Sequence, residues 1–296
     1  MASSEIGFQS TFVYGTAWKK ERTTEIVKTA ISSGFRVLDT AAQPKHYRED
    51  LVGKAVRECT QDGFVQRSDI FVQTKFTAPQ GQDPDNMPYN PENDLETQIR
   101  TSVLQSLRHF QSSELSDSIG DSYLDCLLLH SPLPTLEETL EAWTILQSYV
   151  PDRIRYLGIS NVPLSVLKII YRYATVKPAI VQKRFCLDNH YDSDLRQFCK
   201  QKGIVFQSFW TLTANPGLLE GEATGRLSNA CCVSREVALY ALISNLGIMV
   251  LNGTSSKERM VEDIEGIAKI VDWSRKETVI WADICRDFQS LLSSHI

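Results

Sequence analysis

Residues 36–75 read RVLDTAAQPKHYREDLVGKAVRECTQDGFVQRSDIFVQTK. The stretch opens on a short apolar run, Arg36–Asp39, that stops at an acid. It closes on a second, Ile70–Lys75, that stops at a base. Between them Leu51, Val52, Ala55, Val56 and Cys59 recur at the spacing that lines one face of a helix. Both runs are almost continuously apolar, as strands of a parallel sheet covered on both faces must be.

The same alternation runs outward in both directions. Phe12–Thr16, Leu124–His130, Arg155–Ser160, Ala179–Gln182, Ile204–Phe209 and Ile248–Leu251 are six further strand-like runs, making eight. Ile26, Val27, Ala30 and Ile31 form a helical stripe closed by Gly34, where a left-handed cap is wanted. Leu95, Ile99, Val103, Leu107 and Phe110 form another, ahead of the polar connection Gln111–Ser122. Asn161 ahead of Val162-Pro163 predicts a helix start with proline in its first turn. Ser234 is placed to cap a helix through Val237, Ala238, Ala241 and Leu242 that Gly247 ends. Alternating strands and helices with no second composition regime predict an α/β fold, a single (β/α)8 barrel over residues 1–296. The proline-rich stretch 78–93 follows the third strand and is expected to overhang the active face.

Composition narrows the function. Of 296 residues, 42% are hydrophobic and 23% charged, which is ordinary globular usage. The net charge of −5 is spread along the chain, and no basic face argues for a nucleic-acid partner. No apolar run approaches the roughly 18 residues of a membrane span, and Met1–Ser10 shows no secretory pattern. Seven scattered cysteines without a C-x-x-C pair fit reduced thiols in the cytoplasm. Cys126 and Cys199 read as core, Cys231-Cys232 as the more oxidisable pair.

In such a barrel, chemistry gathers at the carboxyl ends of the strands. Those ends carry Asp39, Lys75, His130, Ser160-Asn161, Gln182 and Phe209. Asp39 alone could cap a turn, and His130 alone could be a satisfied core histidine. Lys75 is harder to dismiss, because an apolar strand end is a costly place for an unpaired ammonium; Asp39 is its natural partner. The five histidines show no metal-ligand spacing. A lone strand-end carboxylate makes no glycosidase pair, and the G-x-S-x-G nucleophile motif is absent. What remains is a lysine, a histidine, an aspartate and Tyr47 in the loop behind Asp39. A phenol beside an ammonium is a workable general acid, since the cation lowers a pKa otherwise near 10.

Asp39-Thr40-Ala41 followed by Tyr47 and Gly53 resembles the signature of the aldo-keto reductase family. Thr74-Lys75, Leu128–Pro132 and Gly158–Asn161 resemble its next blocks, Gly15–Trp18 its opening strand and Gly253–Asp263 its adenosine-binding segment. The wording of Gln43–Tyr47 and Gln207–Thr211 is similar to fungal members. The resemblance implies an NADP(H)-dependent oxidoreductase, monomeric, acting on a small carbonyl compound. Tyr47 would protonate the carbonyl oxygen, Lys75 with Asp39 would keep its pKa low, and His130 would orient the carbonyl. Ser160, Asn161 and Gln182 would bind the nicotinamide carboxamide and Phe209 would stack on the ring, with Gly15, Thr16 and Ser208 adding cofactor contacts. Thr254, Arg259, Glu262 and Asp263 would take the adenosine end, with Ser255-Ser256 opening a helix that favours a 2′-phosphate. Trp18 and Trp210, with His130, would face substrate.

Several positions depart from the family. The insertion Gln43–Lys45 must bulge for Tyr47 to reach its point. Gly253 stands where a lysine is usual, which removes a cation from the cofactor site, and Arg184 where many members have glutamate. Glu220–Ser234 is compressed. With Ile296 close behind the last helical pattern, a long closing loop is not expected, leaving an open pocket walled by residues 78–93 and Trp210. A nucleotide-binding barrel with a regulatory or scaffold role is the alternative.

Overall fold

The computed structural model describes residues 12–113, 119–120 and 122–293. Part of the predicted Gln111–Ser122 connection lies outside them. Eight parallel strands close in sequence order into a barrel: β1 (Phe12–Gly15), β2 (Val37–Asp39), β3 (Phe71–Phe76), β4 (Leu124–Leu129), β5 (Ile154–Ser160), β6 (Ile180–Arg184), β7 (Val205–Phe209) and β8 (Ile248–Asn252). Helices α1 (Thr23–Ser32), α2 (Glu49–Gln61), α3 (Leu95–His109), α4 (Leu136–Gln147), α5 (Leu164–Tyr173) and α6 (Ser193–Lys202) fill the first crossovers. The last part holds α7 (Pro216–Leu219), α8 (Glu222–Cys231), α9 (Arg235–Ser244), α10 (Lys257–Lys276) and α11 (Thr278–Ser293). None of the described helices is long and apolar enough to cross a membrane.

Local chemistry sets the helix ends. Asp94 accepts from the Thr97 amide at 2.7 Å to start α3, and Thr135 and Glu138 exchange bonds as a capping box on α4. Gly34, at φ +111°, turns the chain out of α1. Two predicted starts are corrected. Pro163 is itself the N-cap of α5, so the proline stands just ahead of the first turn, while Asn161 sits earlier in a left-handed conformation. Ser234 holds the N-cap position of α9, but its side chain makes no capping bond. The compressed stretch 220–234 holds α8, tied to α11 where Arg226 meets Asp283 at 2.7 Å and also Asp287. Of the predicted oxidisable pair only Cys232 is exposed; Cys231 is buried and its thiol pushed up by that burial.

Strand alternation then places the site. Side chains two apart share a face, so each strand sends one set inward. Val13, Val37, Cys126, Leu128, Ile180, Val205 and Met249 form an apolar plug inside the barrel, separate from the larger core between sheet and helices. Moving two residues along a strand from the plug reaches Asp39 on β2, Gln182 on β6 and Gln207 on β7. Gln73 on β3, two residues after the inward Phe71, joins them. The plug therefore carries a polar layer at its carboxyl end. Strand β6 runs two residues beyond its predicted end because Lys183 and Arg184 pair with Ser208 and Phe209; their charge hid the continuation.

Stretch 78–93 does not wall the pocket. Gln82 donates to the carbonyls of Ala42 at 2.8 Å and Thr77 at 3.1 Å, and Gln43 donates to Gly81 at 2.6 Å. The loop is a brace behind the Tyr47 segment, and it contributes nothing to the lining of the cleft described below.

Gly53 lies where α2 packs against the end of α3. A β-carbon there would lie 1.9 Å from the His109 carbonyl oxygen. Gly53→Ala is expected to destabilise the fold by about 1–3 kcal/mol through overpacking, read as a lower urea midpoint with unchanged slope. An unshifted midpoint would show that the two helices separate without cost.

Candidate active site

Lys75 and Asp39 are both about 1% exposed. The ammonium lies 2.7 Å from each Asp39 oxygen and donates to the Thr40 carbonyl at 2.8 Å. Asp39 Oδ1 also accepts from Gln73 at 2.6 Å and from Gln182 at 2.9 Å. Gln207 completes the layer, accepting from Gln73 at 2.8 Å and from Gln182 at 3.0 Å while donating back to Gln73 at 2.9 Å. A buried ion pair survives only when its remaining polar valences are filled, and these glutamines fill them. Gln73 and Gln207 were missed from sequence. The available signal was their spacing, two residues before Lys75 and Phe209.

Tyr47 arrives on a turn. Its amide and that of His46 both donate to the Gln43 carbonyl, at 3.0 and 3.1 Å, so the insertion folds outward and the phenol returns over the barrel. The Lys75 ammonium lies 5.2 Å from the centroid of the Tyr47 ring. The His130 ring stands edge-on at 6.1 Å. His130 Nδ1 meets the Thr77 hydroxyl at 2.7 Å; with Thr77 donating, Nε2 carries the proton and is the donor left for a ligand.

Electrostatics reverse one expectation. Burial, with the Asp39 charge adding to it, pushes the Tyr47 phenol well above its ordinary value. The lowering expected from Lys75 is outweighed by this burial and by the Asp39 charge. Burial also lowers the Lys75 pKa, with Asp39 opposing that shift. Burial and then the Lys75 charge press His130 down to about 3, which keeps the imidazole neutral. At neutral pH the site thus offers a loaded phenol and a neutral imidazole.

A cleft of about 910 Å³ opens over these groups. Asp39, Tyr47 and His130 line one end; Thr254, Arg259, Glu262 and Asp263 line the other. Ser160, Asn161 and Gln182 form the rim between β5 and β6. Asn161 donates to the His130 carbonyl at 3.0 Å, and Ser160 to the Gln182 carbonyl at 2.9 Å. Phe209 and Gly15 line the cleft beside them. Trp18 and Trp210 stand at its mouth, 64% and 55% exposed, Trp18 with its ring centroid 3.9 Å from that of His46. At the far end Ser256 accepts from the Arg259 amide and caps α10. Asp263 accepts from Asn252 at 2.6 Å, and burial pushes its carboxyl up to about 6.

Two expected cofactor residues do not reach the cleft. The Thr16 hydroxyl turns back to the Asp39 carbonyl at 2.9 Å. Ser208 is fully buried on the outward face of β7, 3.0 Å from the Thr211 hydroxyl. Their neighbours Gly15 and Phe209 face inward instead. At the cofactor end Lys19 was missed. Lys19 donates to the Gly253 carbonyl, and to the Ser255 hydroxyl at 3.2 Å. It thereby returns a cation to the place where Gly253 had removed one. No local pattern announces it, because the contact joins residues 234 positions apart.

The sequence profile described as the Aldo/keto reductase family matches residues 6–277. The chain is 27% identical over 263 residues to the NAD/NADP-dependent indole-3-acetaldehyde reductase of Schizosaccharomyces pombe, covering 84% of this chain and 82% of that protein. It is 25% identical over 291 residues to the D-galacturonate reductase of Hypocrea jecorina, covering 89% and 82%. Among solved structures, an aldo-keto reductase from a Medee basin deep-sea metagenome library superposes with a TM-score of 0.69 at 19% identity, covering 90% of this chain and 91% of that one. A Bombyx mori aldo-keto reductase in complex with NADP gives 0.68 at 20% identity, covering 88% and 87%.

Asp39→Asn strands the Lys75 ammonium in a dry site. The variant is expected to lose about 3–5 kcal/mol of stability in chemical denaturation; a loss under about 1 kcal/mol would show that the pair is not an obligate one.

Proposed function

Because this chain belongs to the aldo-keto reductase family, we propose that it reduces the carbonyl of a small aldehyde or ketone to the alcohol with NADPH. The observation that carries this reading is the packing of Lys75 and His130 against the Tyr47 ring, at one end of a cleft whose other end holds Lys19 and Arg259. The cofactor fits that cleft by donor set and by size: carboxamide partners at Ser160, Asn161 and Gln182, a π-face at Phe209, and anion partners at Lys19 and Arg259 beside the N-terminus of α10. When bound, NADPH supplies a hydride from the nicotinamide ring.

The protein's own residues do the rest. His130, neutral, donates from Nε2 to the carbonyl oxygen and fixes its direction. Tyr47 gives the oxygen its proton as negative charge develops there. Lys75, 5.2 Å from the ring centroid, balances the Asp39 charge beneath the phenol. Arg259 enters no ion pair among the described residues and is free for a 2′-phosphate, with Lys19 as the second cation. All seven cysteines are free thiols, which suits a reducing compartment such as the cytoplasm.

Three outcomes are expected. Tyr47→Phe should lower kcat by at least about a hundredfold while NADPH still quenches tryptophan fluorescence; undiminished turnover would remove Tyr47 from the role. Arg259→Ala should weaken NADPH by about tenfold and leave NADH nearly unchanged, and equal effects on both would contradict a 2′-phosphate contact. Because His130 sits near 3 in the fold and near 6.5 when unfolded, it contributes no inflection to kcat/KM between pH 5 and 8. The same shift makes acid unfolding draw on it: its stabilisation is present above about 6.5 and is lost as pH falls toward 3.

A further inference from the structure

Arg184 is the last residue of β6, two beyond Gln182 and therefore on the same inward face, one step nearer the cleft mouth. It pairs in register with Phe209 and lines the same cleft as Tyr47 and His130. Its guanidinium lies over the indole of Trp210, 4.0 Å from the ring. Trp210 is held at φ +57°, a conformation that a bulky residue adopts only under constraint. The neighbouring cation is spent differently: Lys183 is paired with Asp192 at 3.2 Å. Arg184 has no such acid, and no ion pair among the described residues includes it.

Charge is divided unevenly around the cleft. Its acids Glu236, Glu262 and Asp263 come from α9 and α10, at the adenosine end. Asp39, at the reacting end, is neutralised by Lys75. That leaves the Arg184 guanidinium, over the Trp210 ring, as a cleft-lining charge with no ion pair among the described residues. An unpaired planar guanidinium of this kind matches a carboxylate, which it can bind with two parallel hydrogen bonds.

We propose that Arg184, stacked on Trp210, is an anion anchor that selects carbonyl substrates bearing a carboxylate. The proposal rests on the carbonyl-reduction reading above and adds the substrate class. The carboxylate sits on the guanidinium while the carbonyl reaches Tyr47 and His130 deeper in the cleft. Electrostatic recognition at an open mouth also makes the preference salt-sensitive.

The test compares 4-formylbenzoate with its neutral methyl ester, using NADPH and the full chain. In the natural sequence the kcat/KM ratio of anion to ester is expected to be about ten, falling as ionic strength rises. In Arg184→Gln it should fall to about one, and Arg184→Lys should recover only part of it. Equal values for anion and ester in the natural chain would overturn the proposal while leaving carbonyl reduction standing. A weakened NADPH Kd in Arg184→Gln, without loss of the ratio, would also overturn it by assigning the arginine to the cofactor. If neither aldehyde is reduced, the reading of the activity fails, and titration of tryptophan fluorescence with 4-formylbenzoate still decides the anchor. Quenching lost in Arg184→Gln upholds it, and quenching unchanged refutes it.

Discussion

A charged lysine sealed inside a barrel is the constraint on which the rest of this structure turns. Lys75 can remain there only because Asp39 meets it with both oxygens, and Asp39 in turn is held by two glutamine amides. The pair fixes where strands β2 and β3 must end relative to each other. It also fixes where an approaching phenol meets the edge of an ammonium that has already been neutralised. The apolar plug below supplies the low dielectric that makes the pair necessary; the cleft above supplies the solvent-facing side where chemistry becomes possible.

From that arrangement the division of labour follows. Groups below the rim are locked by multiple partners: Gln73, Gln207 and the ion pair. Those at the rim are anchored by one or two contacts: His130 through Thr77, Asn161 through the His130 carbonyl and the Ser160 hydroxyl. At the mouth, Trp18, Trp210 and Arg184 are exposed and positioned by stacking. The gradient from locked to free runs along the inward face of the strands, two residues at a time. It suits a fold in which the barrel gives precision and the loops give choice of substrate.

Much of this was legible in the sequence because burial has a loud signature. Eight apolar runs gave the strands, and a polar residue terminating such a run, as at Asp39, Lys75 and His130, pointed to the site. The failures have a common cause in period-two geometry. Thr16 and Ser208, taken from the resemblance, turn away from the cleft, whereas Gln73 and Gln207 lie within the runs and face in, which a reading of strand ends alone does not show. Lys19 was invisible for another reason, since its partners come from the other end of the chain. Stretch 78–93 braces the Tyr47 turn because its glutamine and backbone valences are satisfied by Ala42, Thr77 and Gln43, contacts that composition cannot foretell. The direction of the Tyr47 shift required knowing how deeply the phenol is buried and that Asp39 adds to the effect.

The central claim is that one substrate oxygen is held jointly by the phenol and the imidazole. A crystal structure of the chain with NADP⁺ and a bound aldehyde tests it most directly, since the oxidised cofactor leaves the carbonyl intact. The account requires the aldehyde oxygen within about 3 Å of both the Tyr47 hydroxyl and His130 Nε2. An aldehyde ordered in the cleft with its oxygen directed away from both groups would contradict it.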